Sequence, residues 1–147
     1  MMEIRVEEAG FGDEPAIAAL IQELAATGGG TSPVTEEYVR EYLATAGSHV
    51  LLARHAGQIA GLLSYSVRPN LYHAGPAAFV EELVVSEPER GRGLGSALLR
   101  HLLAHLEATG CVEVSVTTLP TNEGAQRLYR AHGLVDEAVF LEKHMDE

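Results

Sequence analysis

The stretch Val80-Glu-Glu-Leu-Val-Val-Ser-Glu-Pro-Glu-Arg-Gly-Arg-Gly-Leu-Gly-Ser-Ala-Leu-Leu99 decides the fold. An apolar strand carrying two carboxylates passes through a short turn into Arg90-Gly91-Arg92-Gly93-Leu94-Gly95, and a leucine-rich helix follows at once. Glycines at alternate positions do not serve helix propensity, since each costs about 1 kcal/mol against Ala in a helix interior. They make sense where backbone N–H groups must stay bare and close to a ligand. At a helix N-terminus that ligand is an anion such as a phosphate.

Working outward, Ile4 to Glu8 alternates as a strand, and Asp13-Glu-Pro15 opens a helix with Ile17, Leu20, Ile21 and Leu24 at helical spacing. Gly28–Gly30 and Pro33 break it. Thr35 can cap a second helix bearing Tyr38, Val39, Tyr42 and Leu43. Val50 to Arg54 and Ile59 to Val67 read as a hairpin across Ala56-Gly57-Gln58, and Arg68 to Pro76 reads as a loop. Phe79 to Val85 is the next strand and Gly91 to Thr109 the long helix, ended by Gly110. Val112, Val114 and Val116 alternate in another strand, Asn122 to His132 forms a short helix capped by Gly133, and Ala138 to Lys143 closes as a strand. This order gives an α/β (α+β) mixed sheet that starts antiparallel and contains a right-handed, locally parallel βαβ crossover from Phe79 to Val116. There are no repeats or interdomain linkers, so residues 1–147 read as a single domain.

Composition narrows the classes. With 46% hydrophobic and 21% charged residues the chain is an ordinary globular sequence. A net charge of −11 argues against a nucleic-acid binder that relies on bulk attraction to phosphates. No apolar run approaches the roughly 18 residues of a membrane span, and the N-terminus lacks a signal peptide's apolar core, so the expectation is a cytoplasmic protein with no membrane partner. The one cysteine, Cys111, excludes an internal disulfide and is expected as a small buried filler. His101 and His105 are the only histidines at metal spacing and are expected on a solvated helix face, so no metal site is anticipated.

Three readings of the glycine turn compete. A P-loop needs Gly-x-x-x-x-Gly-Lys-Ser/Thr, but the single lysine is Lys143. A dinucleotide fold wants Gly-x-Gly-x-x-Gly early in the chain, whereas Gly91-x-Gly93-x-Gly95 comes late and continues to Leu98. The third reading fits: Arg90-x-x-Gly93-x-Gly95 after an apolar strand resembles the Arg/Gln-x-x-Gly-x-Gly/Ala signature of the GNAT superfamily of N-acetyltransferases. Downstream, Asn122-x-x-Ala125-x-x-Leu128-Tyr129-x-x-x-Gly133-Leu134 resembles the family's second motif.

The resemblance implies a mixed, mostly antiparallel sheet of six or seven strands flanked by about four helices, with a splayed parallel pair at 79–85 and 112–118. It implies acetyl-CoA as cosubstrate, direct transfer of acetyl to a primary amine of a small molecule or peptide without an acyl-enzyme, and a homodimer by family habit. Arg90, Gly91, Arg92, Gly93, Leu94, Gly95 and Ser96 would hold the pyrophosphate. Leu83, Val84 and Val85 would pair with the pantetheine arm, and Asn122 would reach the coenzyme from the other side. Glu81 and Glu82 stand mid-strand in an apolar segment, where adjacent residues face opposite sides of the sheet. An amine that is protonated at neutral pH needs a general base, and either carboxylate could serve. Leu83 follows Glu81 on the same face, and its N–H is a candidate for polarising the thioester carbonyl. Tyr129 occupies the position of the family's frequent general acid, and Tyr38, Tyr42, Tyr65, Tyr72 and His73 fall, by resemblance, toward the acceptor end. The alternative is a GNAT-fold coenzyme A-binding regulator or interaction module with little catalysis, which would need the glycine turn but no proton-transfer groups.

Overall fold

Apolar alternation becomes strand wherever a neighbour can complete the backbone ladder. The computed structural model describes residues 3–145, which divide into two compact units, the first running to Val116 and the second starting at Thr117. Among the described residues the first unit holds β1 (Ile4–Glu8), α1 (Glu14–Thr27), α2 (Glu36–Ala44), β2 (Ser48–His55), β3 (Gln58–Asn70), β4 (Gly75–Val85), α3 (Leu94–Ala108) and β5 (Glu113–Val116). Strands follow in the order β1-β2-β3-β4-β5, with β4–β5 parallel and every other pair antiparallel.

Local chemistry explains the elements. The β2–β3 turn is two residues long, and Ala56 (φ 54°) and Gly57 (φ 79°) are both left-handed, as a hairpin turn matched to strand twist requires. Thr35 caps α2, its Oγ1 accepting from the Tyr38 N–H at 3.0 Å. Asp13 instead turns its carboxylate back to the Gly10 N–H (2.9 Å) and leaves α1 without a side-chain cap.

Alternation on β2 and β3 splits the core between two faces. Val50, Leu52 and Leu62 join Ile17, Leu20, Val39 and Val84 beneath α1 and α2. On the other face α3 packs over β1 to β4 with Leu98, Leu99 and Leu102 fully buried. Each such leucine stabilises the fold by about 1.5–3 kcal/mol. Gly61 faces α3, where an added Cβ would sit 3.4 Å from Leu98 and 3.6 Å from Ala53.

Three expectations are corrected. The segment Arg68 to Pro76 is not a loop: the β3–β4 ladder runs on to Asn70 opposite Gly75, leaving only residues 71–74 as the turn. Its prolines, Pro69 and Pro76, face each other, which suits a pair whose N–H positions point away from the partner strand. The long helix begins at Leu94 rather than Gly91, because Gly91 and Gly93 are left-handed. Five strands form among the described residues instead of six or seven. Ala138 to Lys143 has strand alternation but forms no strand among the described residues, and Val139, Phe140 and Leu141 are exposed.

The second unit contains α4 (Glu123–Ala131). Asn122 caps it by accepting from the Ala125 N–H at 3.0 Å. Gly133 (φ 92°) ends it, with the Leu134 N–H returning to the Tyr129 carbonyl at 3.1 Å. Arg130 holds Asp136 with two nitrogens at 3.0–3.2 Å.

Candidate active site

Strand β4 carries two adjacent carboxylates at a break in its register. Val80 lies opposite Tyr65 and Glu82 opposite Ser64, so Glu81 is an extra residue with no partner on β3. Such a bulge re-aims side chains and ends regular pairing. The expectation that Glu81 and Glu82 face opposite sides of the sheet fails for this reason. Both carboxylates line one cavity of about 600 Å³ between β3–β4 and the α1–α2 elements. Leu83, opposite Leu63, belongs to the α3 face, so it does not share a face with Glu81 as strict alternation implied.

The cavity wall is apolar where α1, α2 and the sheet meet (Ile17, Ile21, Val39, Val50, Leu62) and polar at its floor. The Ser64 hydroxyl donates to Glu82 Oε1 in a short contact and accepts from the Glu82 N–H at 3.0 Å, which fixes that side chain. Glu81 stays partly exposed. Partial burial, and then the neighbouring Glu82 charge, hold its carboxyl above the ordinary carboxylate range, against the opposing effect of the Ser66 hydroxyl. The Tyr42 phenol is driven far up by burial and then by Glu81 and Glu82. Its buried oxygen makes no hydrogen bond of full geometry, although Ser64 lies beside it. The rim is pre-formed: Gln22 clamps Ser32 with two hydrogen bonds, Nε2 donating to its carbonyl at 2.7 Å and Oε1 accepting from its N–H at 2.9 Å.

Of the tyrosines expected near the acceptor, Tyr38 and Tyr42 line the cavity. Tyr65 does not. It is buried in stacking contact with His49, and its phenol is pushed up to about 12 by burial and then by Glu8. Tyr72 and His73 sit in the exposed 71–74 turn, where His73 pairs with Glu113 at 3.1 Å. Sequence reasoning missed Ser64, Ser66 and the 32–35 rim. The signal available was two serines interrupting the apolar run of β3.

Beyond Val80 the parallel ladder stops, its last pair being Val80 with Val116. Glu81 to Val85 continues with β3 as its only strand partner among the described residues, Leu83, Val84 and Val85 lying opposite Leu63, Leu62 and Gly61. That segment leads through a 3-10 turn (Glu87–Glu89) into the glycine turn. Gly91 (φ 81°) and Gly93 (φ 85°) adopt the left-handed backbone, and an added Cβ at either would meet nothing within 4 Å. The first turn of α3, with Leu94 and Gly95 leading, therefore points its amides out of the helix end beside open space. An anionic, extended group fits this arrangement. The arginines are tied back: Arg90 Nε donates to the Val85 carbonyl (3.0 Å) and its Nη2 lies 3.8 Å from Glu23, while Arg92 is 3.5 Å from Glu89. Ser96 Oγ accepts from Arg100 at 2.9 Å.

In the second unit Tyr129 is buried, and burial pushes its phenol up to about 12. Asn122 uses its side-chain oxygen as the α4 cap. Cys111 is half-buried rather than enclosed, with its thiol 3.3 Å from the carbonyls of Pro76 and Glu113. His101 and His105 are exposed, and no cluster of metal-ligating side chains occurs among the described residues.

A carboxylate pair in a cleft, a strand half paired on one side only and an anion-receptive helix start suit acyl transfer from a phosphate-bearing donor. Comparison with known proteins gives the family. The Acetyltransferase (GNAT) family description matches residues 17–134. The chain belongs to the GNAT acetyltransferase family. It is an acyltransferase, of a family whose cosubstrate is acetyl-CoA. Glucosamine 6-phosphate N-acetyltransferase 1 of Oryza sativa subsp. japonica is 35% identical over 117 residues, covering 74% of this chain and 69% of the relative. Aminoalkylphosphonate N-acetyltransferase of Salmonella typhimurium is 31% identical over 85 residues, covering 58% of this chain and 55% of the relative. An aminoglycoside acetyltransferase from an uncultured soil metagenomic sample, solved with trehalose, shares the fold with a TM-score of 0.84 at 22% identity, over 97% of this GNAT chain and 95% of its own.

Proposed function

We propose that this protein moves acetyl from acetyl-CoA directly to a primary amine of a small molecule or peptide, in a ternary complex. The bulge at Glu81 carries the reading. It turns two carboxylates into an apolar cavity at the point where β4 loses its parallel partner and heads for the glycine turn. The family match runs from 17 to 134 and so covers parts of both units, which supports their acting together as one acetyltransferase domain.

Each chain element has a task in this scheme. Gly91 and Gly93 let the α3 amides, with Leu94, Gly95 and Ser96, receive the pyrophosphate, while Arg90 and Arg92 add positive charge near it. Leu83, Val84 and Val85 offer strand backbone to the extended arm, and Asn122 supplies its remaining amide N–H groups. Glu81 accepts a proton from the substrate ammonium, directly or through water, and its raised affinity for protons helps it do so. Glu82, fixed by Ser64, holds the positive charge of the incoming amine. The amine then forms the amide C–N bond as the thioester C–S bond breaks. In this scheme the Leu83 N–H polarises the thioester carbonyl.

Tyr129 serves the departing thiolate, with an adjustment. A phenol near 12 gives its proton to a thiolate of pKa about 8.5 only uphill by roughly three to four pK units, so its first contribution is a hydrogen bond to the developing charge. Tyr129→Phe is expected to lower kcat about tenfold or more, while acetyl-CoA affinity stays nearly unchanged in calorimetry. The reading as a whole is tested by mixing the protein with acetyl-CoA and a panel of amines and following thiol release. Thermal stabilisation by coenzyme A with no release on any amine would instead support a coenzyme-binding module, and no stabilisation would sink both.

A further inference from the structure

The acceptor cavity carries more than room for an amine. Its two charged lining groups, Glu81 and Glu82, are both acidic, and among the described residues no lysine, arginine or histidine lines it. The nearest helical arginine by sequence, Arg40 on α2, does not line it. Arg40 is occupied at 3.7 Å from buried Glu14 and lies over the Phe11 ring at 5.6 Å. A helix start does reach the cavity, at Thr35, and helix starts attract anions. This one is unfavourable to them: the Thr35 side chain already takes the Tyr38 N–H, and Glu36 and Glu37 place negative charge in the first turn. The remaining polar side chains of the wall, Ser32, Thr35, Tyr38, Tyr42 and Ser64, carry neutral hydroxyls, and that of Tyr42 is buried and without a hydrogen bond of full geometry. The Gln22–Ser32 clamp fixes the rim, so a missing cation is not supplied by rearranging that loop.

We propose that the acceptor of this enzyme is a small cationic amine that carries no phosphate, phosphonate or carboxylate, with an alkyl or aryl body lying on the α1–α2 wall. The inference rests on the amine-acetyltransferase reading above and deepens it. It separates this chain from the two relatives whose names specify phosphorylated or phosphonate amines, despite identities of 35% and 31%. An anionic group brought beside two carboxylates meets like-charge repulsion that the neutral hydroxyls of the wall do not cancel, a penalty on the order of 100-fold in affinity. The ammonium gains from the same charges, and the Tyr38 and Tyr42 rings give an apolar body an aromatic wall.

Matched pairs test this: phenethylamine against phenylalanine, which adds a carboxylate, and glucosamine against glucosamine 6-phosphate. Binding to the full chain is measured by calorimetry and transfer by thiol release from acetyl-CoA. The expected result is that each anion-free member binds at least about tenfold more tightly than its partner. Glu82→Gln should narrow that ratio while the protein keeps its melting temperature. Equal or tighter binding of the anionic members, an unchanged ratio in Glu82→Gln, or binding of no amine at all would overturn the proposal. Thiol release that is fastest with glucosamine 6-phosphate would also overturn it while upholding acetyl transfer. A binding preference without thiol release from any amine would sink acetyl transfer and leave the preference standing.

Discussion

The two halves of β4 share one strand and differ in almost everything that matters. From Gly75 to Val80 the strand pairs with β3 on one side and, from Ala77, with β5 on the other, and it buries Ala78 and Val80. From Glu81 to Val85 it bulges, loses β5, and exposes or half-buries four of its five residues, Val84 being the exception. The first half is assembled for stability. In the second, the strand is paired on one side only and carries two adjacent carboxylates whose protein partners are the hydroxyls of Ser64 and Ser66 rather than a cation, an arrangement that a purely structural strand would not need. The difference teaches that a candidate site in a sheet is found by where its pairing stops.

The sharpest way to break this comparison is to exchange effects between the halves. Glu81→Gln should lower kcat by about 100- to 10,000-fold, the range for losing a general base. It should not lower stability. A carboxyl whose folded pKa is raised contributes stability at low pH that is lost as pH rises through the folded value, so at neutral pH the neutral glutamine removes a penalty. Val80→Ala should do the reverse, costing about 2 kcal/mol in denaturant unfolding while kcat of the folded fraction holds. If Val80→Ala abolished turnover at full folding, or Glu81→Gln unfolded the protein, the division between the halves would be wrong.

A smaller effect is expected where the second half hands over to the glycine turn. Gly93→Ala adds a Cβ that meets no atom, so the only penalty is the left-handed backbone at φ 85°, about 1–2 kcal/mol. We expect a matching drop in unfolding free energy and roughly tenfold weaker acetyl-CoA binding by calorimetry, with binding of an amine unchanged. Weaker amine binding as well would mean that the turn supports the cavity and not the coenzyme alone.

Much of this contrast was legible in the chain. Val80-Glu-Glu-Leu reads as a strand with misplaced charge, and alternating glycines before Leu94 read as a helix start held open. What stayed hidden was relational. The bulge is a property of two strands in register, and Glu81 looks like any strand residue until Ser64 is found opposite Glu82. Period-two reasoning therefore put the carboxylates on opposite faces. The same gap explains Ala138 to Lys143, whose alternation marks a segment able to pair but cannot supply a neighbour. The cavity rim was invisible for a third reason. Ser32 is ordinary loop chemistry until Gln22, ten residues earlier, is seen to hold both of its backbone groups.

The finest test concerns what the bulge does to the carboxylates themselves. Burial is the main cause of Glu81's raised proton affinity, and the Glu82 charge brought to the same wall is the second. If Glu81 is the base, kcat/KM rises with pH through its folded pKa, so the acidic limb lies above the ordinary carboxylate value of 4.5. Glu82→Gln removes the like charge and leaves the burial. The limb should then move to lower pH without reaching the ordinary value, since burial, the larger cause, remains. A pH profile of kcat/KM for the two proteins reads this directly. An unmoved limb would mean that the carboxylates do not sense one another and that the bulge serves only to aim Glu81. Loss of the limb together with turnover in Glu82→Gln would instead make Glu82 the base, with its hydrogen bond from Ser64 as the group to remove next.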